Sequence, residues 1–336
     1  MSKQIVAMIG EGSWGTAIAQ LLTGNGYKVH LWCHDKEVAD SIRVQGENTK
    51  YLPGIHLHKN IIPFTDFAQT VCSVRWVFEA IPVRYLRSVL VQVRPCFERE
   101  QVWVVLSKGI EDQTLLFPTQ IIDDVFGCTV QKAVFAGPSF AREVAEGAIT
   151  GVTIGATDCN LGNELQKILS NDCFRAYPTD DLMGVQVGAA FKNVISLGVG
   201  MLDGAGYGDN PKAFIFTRGL QEAAHFAQVM GGNQETLYGF SGVGDLVLTS
   251  MGKASRNREV GRRIGKGESL DTIMLETGYV AEGINALRAL IELAHKRNIK
   301  VPICQGIYDV VHRSLPVREM LRRIMQEPLN SECQRA

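Results

Sequence analysis

The chain has 336 residues, enough by length for about two domains with cores of their own, and a formal net charge of -1. That near-neutral balance gives no sign of a nucleic-acid partner or an acidic membrane surface. The eight cysteines (33, 72, 96, 128, 159, 173, 304 and 333) are scattered, with no C-x-x-C and no histidine at zinc spacing, so reduced thiols, a cytoplasmic setting and no metal site are expected.

The first element is a short apolar run, Ile5–Ile9, which reads as a strand at once, so no signal peptide is expected. It leads into Gly10-Glu11-Gly12-Ser13-Trp14-Gly15, and residues 16–22 then read as a helix. Strand, G-x-G-x-x-G and helix in that order predict a turn that binds a dinucleotide. Gly10 allows the tight turn, Gly12 lets the backbone approach a pyrophosphate, and Gly15 lets helix and strand pack closely. The helix N-terminus offers N–H groups and a positive dipole end to the phosphates. A Gly-rich turn without a ligand is the plainer alternative.

Further strands are predicted at 28–32, at 76–81 (stopped by Pro82) and at 102–106, which ends in Ser107-Lys108-Gly109. The next, 133–136, ends in Gly137-Pro138-Ser139, and 151–155 and 174–177 look like two more. Strands alternating with helical patterns predict an α/β fold with a doubly wound, mostly parallel Rossmann-type sheet. From Thr179 onward the period is helical almost throughout. A dinucleotide-binding domain over 1–179 and a mainly α-helical substrate and catalytic domain over 180–330 are therefore expected.

Residues 182–202 carry one charge, Lys192, and could be weighed as a membrane span. Gln186, Lys192, Asn193 and Ser196 fall in the middle, where lipid would penalise them. A helix buried between protein layers is the better reading, with Gly184 and Gly188 permitting close approach.

Polar residues that interrupt these patterns are the candidates for chemistry. Lys108 stands just past the carboxyl end of a central strand, the edge where open α/β sheets bind ligands, and Gly137-Pro138-Ser139-Phe140-Ala141 stands at the same edge. Each alone would pass for an ordinary loop. Lys192 is harder to dismiss, because an unpaired buried ammonium is costly unless it snorkels to water or meets an acid across a polar cleft. Burial would lower its pKa toward the range of a general acid/base. Asp245, after a Gly-rich loop, is the natural partner, although a plain N-cap is its alternative. Thr249 lies four residues on, on the same helix face. Ser255 can cap a helix whose N-terminus binds an anion, Arg256 supplies a bidentate fork and Asn257 adds amide donors. A solvated basic stretch is the alternative there, since Lys253, Arg258, Arg262 and Arg263 are close by.

Together these segments resemble the NAD(P)-dependent glycerol-3-phosphate dehydrogenases of the bacterial type, from about residue 5 to residue 316. The G-x-G-x-W-G-T-A opening, Ser107-Lys108-Gly109, Gly137-Pro138-Ser139, Lys192-Asn193 and Gly208-Asp209-Asn210 match in order. Thr217-Arg218-Gly219, Gly244-Asp245-Leu246, Ser255-Arg256-Asn257 and Ala281-Glu282-Gly283 complete the series. The resemblance implies reversible reduction of dihydroxyacetone phosphate to sn-glycerol 3-phosphate, supplying glycerophospholipid synthesis, by a cytoplasmic homodimer. It implies that Lys192 exchanges the proton at the substrate C2 oxygen, that Asp245 and Thr249 orient it, and that Lys108 touches both substrate and nicotinamide. Gly137, Ser139, Ser255, Arg256 and Asn257 would hold the glycerol phosphate. Ser13, Trp14, His34, Ala141, Arg256, Val280 and Glu282 fall where the family contacts the dinucleotide. The second strand ends Leu31-Trp32-Cys33-His34 without an acid, so NADPH is expected as cofactor, with some use of NADH.

Four departures from the family pattern stand out. Glu11 puts an acid between the first two glycines, where its carboxylate is expected to point away from the pyrophosphate. Glu79 lies in a strand that the family keeps apolar, and no role is evident for it. Val83 follows Pro82 where a serine is usual. The residues before Lys192 read Val187-Gly188-Ala189-Ala190-Phe191, a change of packing. The competing functions are another two-domain reductase, of a small hydroxy acid or ketopantoate, and a non-catalytic NADP-binding sensor. The first would need a carboxylate anchor in place of Ser255-Arg256-Asn257, and the second would have lost its proton donor.

Overall fold

A computed structural model describes residues 4–278 and 281–328. Among them eight strands form one sheet: β1 (Ile5–Ile9), β2 (Lys28–Trp32), β3 (Ile61–Phe64), β4 (Trp76–Glu79), β5 (Val102–Val105), β6 (Gln131–Ala136), β7 (Thr150–Ala156) and β8 (Phe174–Thr179). Their order is β3-β2-β1-β4-β5-β6-β7-β8. Every pair is parallel except β6 with β7. The order reverses between β1 and β4, and the loops after those two strands flank the crevice where such sheets take ligands.

Burial explains the strands. β4 and β5 are covered on both faces and are apolar except for Glu79, as central parallel strands must be. Apolar cores lie on either side of the sheet, one centred on residues such as Met8 and Phe78, the other on Ile9 and Trp103. β3, which the sequence reading missed, has four residues and contains Pro63, a composition confined to edge strands, and an edge is where it lies. The strand expected third is thus the fourth.

A helical region follows the sheet and has its own core. Its axis is the helix Leu182–Gly204, capped by Asp181, whose Oδ1 accepts from the Gly184 N–H at 2.8 Å. Length and composition alone would let it cross a membrane, but 89% of its apolar window is buried inside the protein. It packs most extensively on the helix Arg256–Gly265. A Cβ on Gly200 or Gly204 would come within 2.1 Å or 1.9 Å of the carbonyls of Arg258 and Arg262. One on Gly261 or Gly265 would come within 2.1 Å of Leu197 or Met201 carbonyls. The two helices therefore touch backbone to backbone. This seam sets the N-terminus of Arg256–Gly265 beside Lys192 and Asn193.

Candidate functional site

The Gly-rich turn has the form that its spacing predicts. Gly10 has φ +115°, which a side chain would strain, and its Cβ would meet the Ala80 carbonyl at 3.0 Å. A Cβ on Gly15 would lie 2.0 Å from the Gly10 carbonyl, so strand and helix close up only with glycine there. Gly12 has open space where its Cβ would be, and it precedes helix Ser13–Gly24 without a side-chain cap. Beside it the indole N–H of Trp14 is buried with no partner. An uncapped helix end, a bare glycine and an orphaned donor fit the phosphates and amide of a dinucleotide.

A cleft of about 370 Å³ opens between this turn and the helical region. Ser13, Trp14, Lys108, Ser139, Ala141, Lys192, Thr249, Ser255, Arg256, Asn257 and Glu282 all line it. At its base, Asp245 is 1% exposed and receives two ammonium groups. Lys192 Nζ donates to Oδ1 at 2.7 Å and Lys108 Nζ to Oδ2 at 2.9 Å. Lys192 also donates to Thr249 Oγ1 at 3.1 Å, and that hydroxyl donates back to the Asp245 carbonyl at 2.7 Å. Asp245 is the first residue of helix Asp245–Met251, which a single wide π-helical turn, Phe240–Gly244, feeds. It bridges two lysines and does not act as a side-chain cap.

The electrostatics follow from that burial. Desolvation pulls the Lys192 ammonium down to about 8; Asp245 opposes the shift and the like charge of Lys108 adds to it. Burial alone would raise the Asp245 carboxyl, yet Lys108 and Lys192 outweigh it and hold it below the usual carboxylate range. One carboxylate thus keeps two lysines at the cleft while leaving Lys192 able to release its proton near neutrality.

The phosphate-type corner is built from the helix Arg256–Gly265. Ser255 caps it, Oγ accepting from the Arg258 N–H at 3.2 Å, and Arg256 faces the cleft. Asn257 is more constrained than expected. Its Nδ2 donates to Asn193 Oδ1 at 2.9 Å and its Oδ1 accepts from the Gly283 N–H at 2.9 Å, so it ties three helices together. Asn193, in turn, donates to Glu282 Oε2 at 3.4 Å. Sequence reasoning did not single Asn193 out for a role, although it adjoins Lys192 and lines the cleft. The Tyr51 to Pro53 wall and Arg142 were also missed, and nothing in their local pattern marks them.

Glu79 finds a place here. It is fully buried at the end of β4, and its carboxyl accepts from Ser107 Oγ at 2.7 Å and from the Ile81 N–H at 3.1 Å. It therefore fastens together the loops after β4 and β5, one of which carries Lys108. Two expected residues sit differently. Gly137 packs against β7, where a Cβ would meet the Gly151 carbonyl at 2.7 Å, and it does not line the cleft. His34 is exposed past the end of β2, outside the cleft wall. Val280 lies outside the described residues.

The model of a family described as NAD-dependent glycerol-3-phosphate dehydrogenase, N-terminus, matches residues 5–161, and its C-terminus counterpart matches residues 181–322. The chain belongs to this family. One relative, the glycerol-3-phosphate dehydrogenase (NAD(P)+) of Nitratidesulfovibrio vulgaris, strain Hildenborough, is 39% identical over 328 residues, covering 97% of this chain and 99% of that protein. That of Moorella thermoacetica is 38% identical over 332 residues, 99% and 98% of the two. The crystal structure of glycerol-3-phosphate dehydrogenase from Coxiella burnetii is similar at a TM-score of 0.92 and 30% identity, over 97% of this chain and 99% of that one. Membership makes the chain an oxidoreductase, a dehydrogenase with an N-terminal Rossmann-type domain and a helical C-terminal domain.

Proposed function

We propose that this dehydrogenase interconverts dihydroxyacetone phosphate and sn-glycerol 3-phosphate with a nicotinamide dinucleotide. The observation that carries the reading is the Lys192–Asp245–Lys108 array facing Ser255 and Arg256 across one cleft. When bound, the nicotinamide supplies or removes the hydride. Lys192 gives a proton to the substrate C2 oxygen in reduction and recovers it in oxidation, and Lys108 adds positive charge against the developing alkoxide. Asp245 and Thr249 fix the Lys192 ammonium. The Ser255 helix end, Arg256 and Ser139 hold the phosphate, with Asn257 keeping that helix end in place. Gly10, Gly12, Ser13, Trp14, Gly15, Ala141 and Glu282 hold the dinucleotide, and His34 lies at its outer end.

A phosphate-gripping helix end favours this reading over a hydroxy-acid or ketopantoate reductase, and an intact lysine–aspartate array favours it over a sensor. The test mixes purified protein, dihydroxyacetone phosphate and NADPH or NADH, and follows nicotinamide absorbance. Oxidation of the cofactor is expected, with unphosphorylated dihydroxyacetone a far poorer substrate because it cannot engage Arg256. Equal turnover of the two ketones would remove the phosphate site from the proposal. We further take residues 1–179 and 180–330 as the two domains and the enzyme as a cytoplasmic homodimer whose product feeds glycerophospholipid synthesis, as the resemblance implies. Light scattering on the purified protein tests the dimer.

A further inference from the structure

We propose that Glu11 is a cofactor-selecting residue, and that it favours a dinucleotide with a free ribose 2′-hydroxyl over one with a 2′-phosphate. The inference rests on reading the Gly-rich turn as the dinucleotide site. In a doubly wound sheet the end of the second strand faces the adenosine ribose, where an acid accepts the 2′-hydroxyl and an arginine accommodates a phosphate. β2 itself ends without an acid, which is the ground for expecting NADPH to be tolerated. The structure delivers the acid from the neighbouring strand. Glu11, only 7% exposed, reaches across from the turn after β1, and its Oε1 accepts from the Asp35 N–H at 3.1 Å.

Three observations make this placement effective. The Glu11 carboxylate occupies the backbone donor that a phosphate at this edge would use. A neighbouring ammonium is spent as well, since Lys50 Nζ donates to Asp35 Oδ2 at 2.7 Å. The other acidic oxygen of Asp35 accepts from the Glu37 N–H at 2.9 Å, so two carboxylates stand at this corner, and Arg43, whose charge also acts here, is paired with Asp40. Glu11 also has no easy way to withdraw. Its carbonyl accepts from Thr16 Oγ1 at 2.9 Å and from the buried Asn48 Nδ2 at 2.7 Å, which pins its backbone from two sides. A 2′-phosphate carrying roughly -1.5 to -2 charges must displace or adjoin the carboxylate, whereas a 2′-hydroxyl can donate to it.

The test is equilibrium binding, without turnover, of NADH and NADPH to the full-length protein by calorimetry. NADH is expected to bind at least about tenfold more tightly, the scale of one like-charge contact. Glu11→Ala should bring the two affinities within about threefold, mainly by tightening NADPH, because the repulsive element is gone. Glu11→Gln keeps an acceptor for Asp35 and removes only the charge, so it answers the question should the alanine variant not fold. NADPH binding as tightly as NADH to the unaltered protein would overturn the proposal. So would a preference for NADH that survives both folded variants. Failure of both dinucleotides to bind would overturn the dinucleotide reading itself, an outcome distinct from equal binding.

Discussion

Lys192 and Arg256 line the same cleft but are assigned different tasks, and substitution separates them. Lys192→Met keeps the stem and removes the acid, so kcat should fall by about 10² to 10⁴ while cofactor affinity survives. Arg256→Ala should mainly raise KM for dihydroxyacetone phosphate, with a loss in kcat/KM of about 2 kcal/mol or more. Near-normal kcat in Lys192→Met would pass the proton to Lys108. Burial sets Lys192 to about 8, and reduction needs its ammonium, so the reductive rate should fall as pH rises through about 8. Oxidation needs the free amine and should rise through the same range. In the sequence these residues are separate interruptions of apolar patterns, and Lys108 and Asp245 are 137 positions apart. Residue type suggested an acid for Lys192; that the acid serves two lysines depends on the fold. Glu11 was expected to turn its carboxylate away from the pyrophosphate, but that it meets the Asp35 N–H at the end of β2 depends on the fold.

Among the elements, the seam between Leu182–Gly204 and Arg256–Gly265 is the most exacting. Gly261→Ala would force a methyl to within 2.1 Å of the Leu197 carbonyl, and the cost should be about 1–3 kcal/mol or more. Gly24→Ala, in a helix where nothing lies within 4 Å, serves as control and should be neutral or stabilising by up to about 1 kcal/mol. Urea midpoints of the two variants check the contrast; equal effects would mean that the seam relaxes freely. Most strands were legible as short runs rich in apolar residues, several of them closed by glycine or proline. β3 was not, as four residues with Pro63 look like loop until an edge position excuses the proline. The reversed direction of β7 is set by how the chain returns to the sheet, which no local pattern encodes. Gly200 and Gly204 carry no local sign of their close contacts, because their partners lie on a helix some sixty positions away.

For the molecule as a whole, two buried carboxyls set a slope of stability against pH. Burial raises Glu79 and Glu222 to about 8 from the ordinary 4.5, although backbone N–H groups of Ile303 and Cys304 oppose the shift at Glu222. Between these values the folded state holds protons that the unfolded chain has released, so stability falls as pH rises and the loss is complete above about 8. The lowered His30 and His312 act below 6.5, where they make stability rise with pH, and Lys192, lowered to about 8, opposes the carboxyls as pH nears 8, so the interval between belongs mainly to the two carboxyls. Across that interval stability should drop by at most about 1.4 kcal/mol per pH unit for each group, read as a falling urea midpoint, and Glu222→Gln should flatten the drop. A midpoint that rises instead would show both groups ionised in the folded protein. The backbone contact between the two glycine-bearing helices has a mechanical consequence. With no layer of side chains between them, they cannot slide by exchanging rotamers, as packed helices do in shear motions. They form a stiff plate carrying Lys192 and the Arg256 corner together. The loop after β5 is joined to that plate through a chain of charges, Lys108 to Asp245 and Asp245 to Lys192.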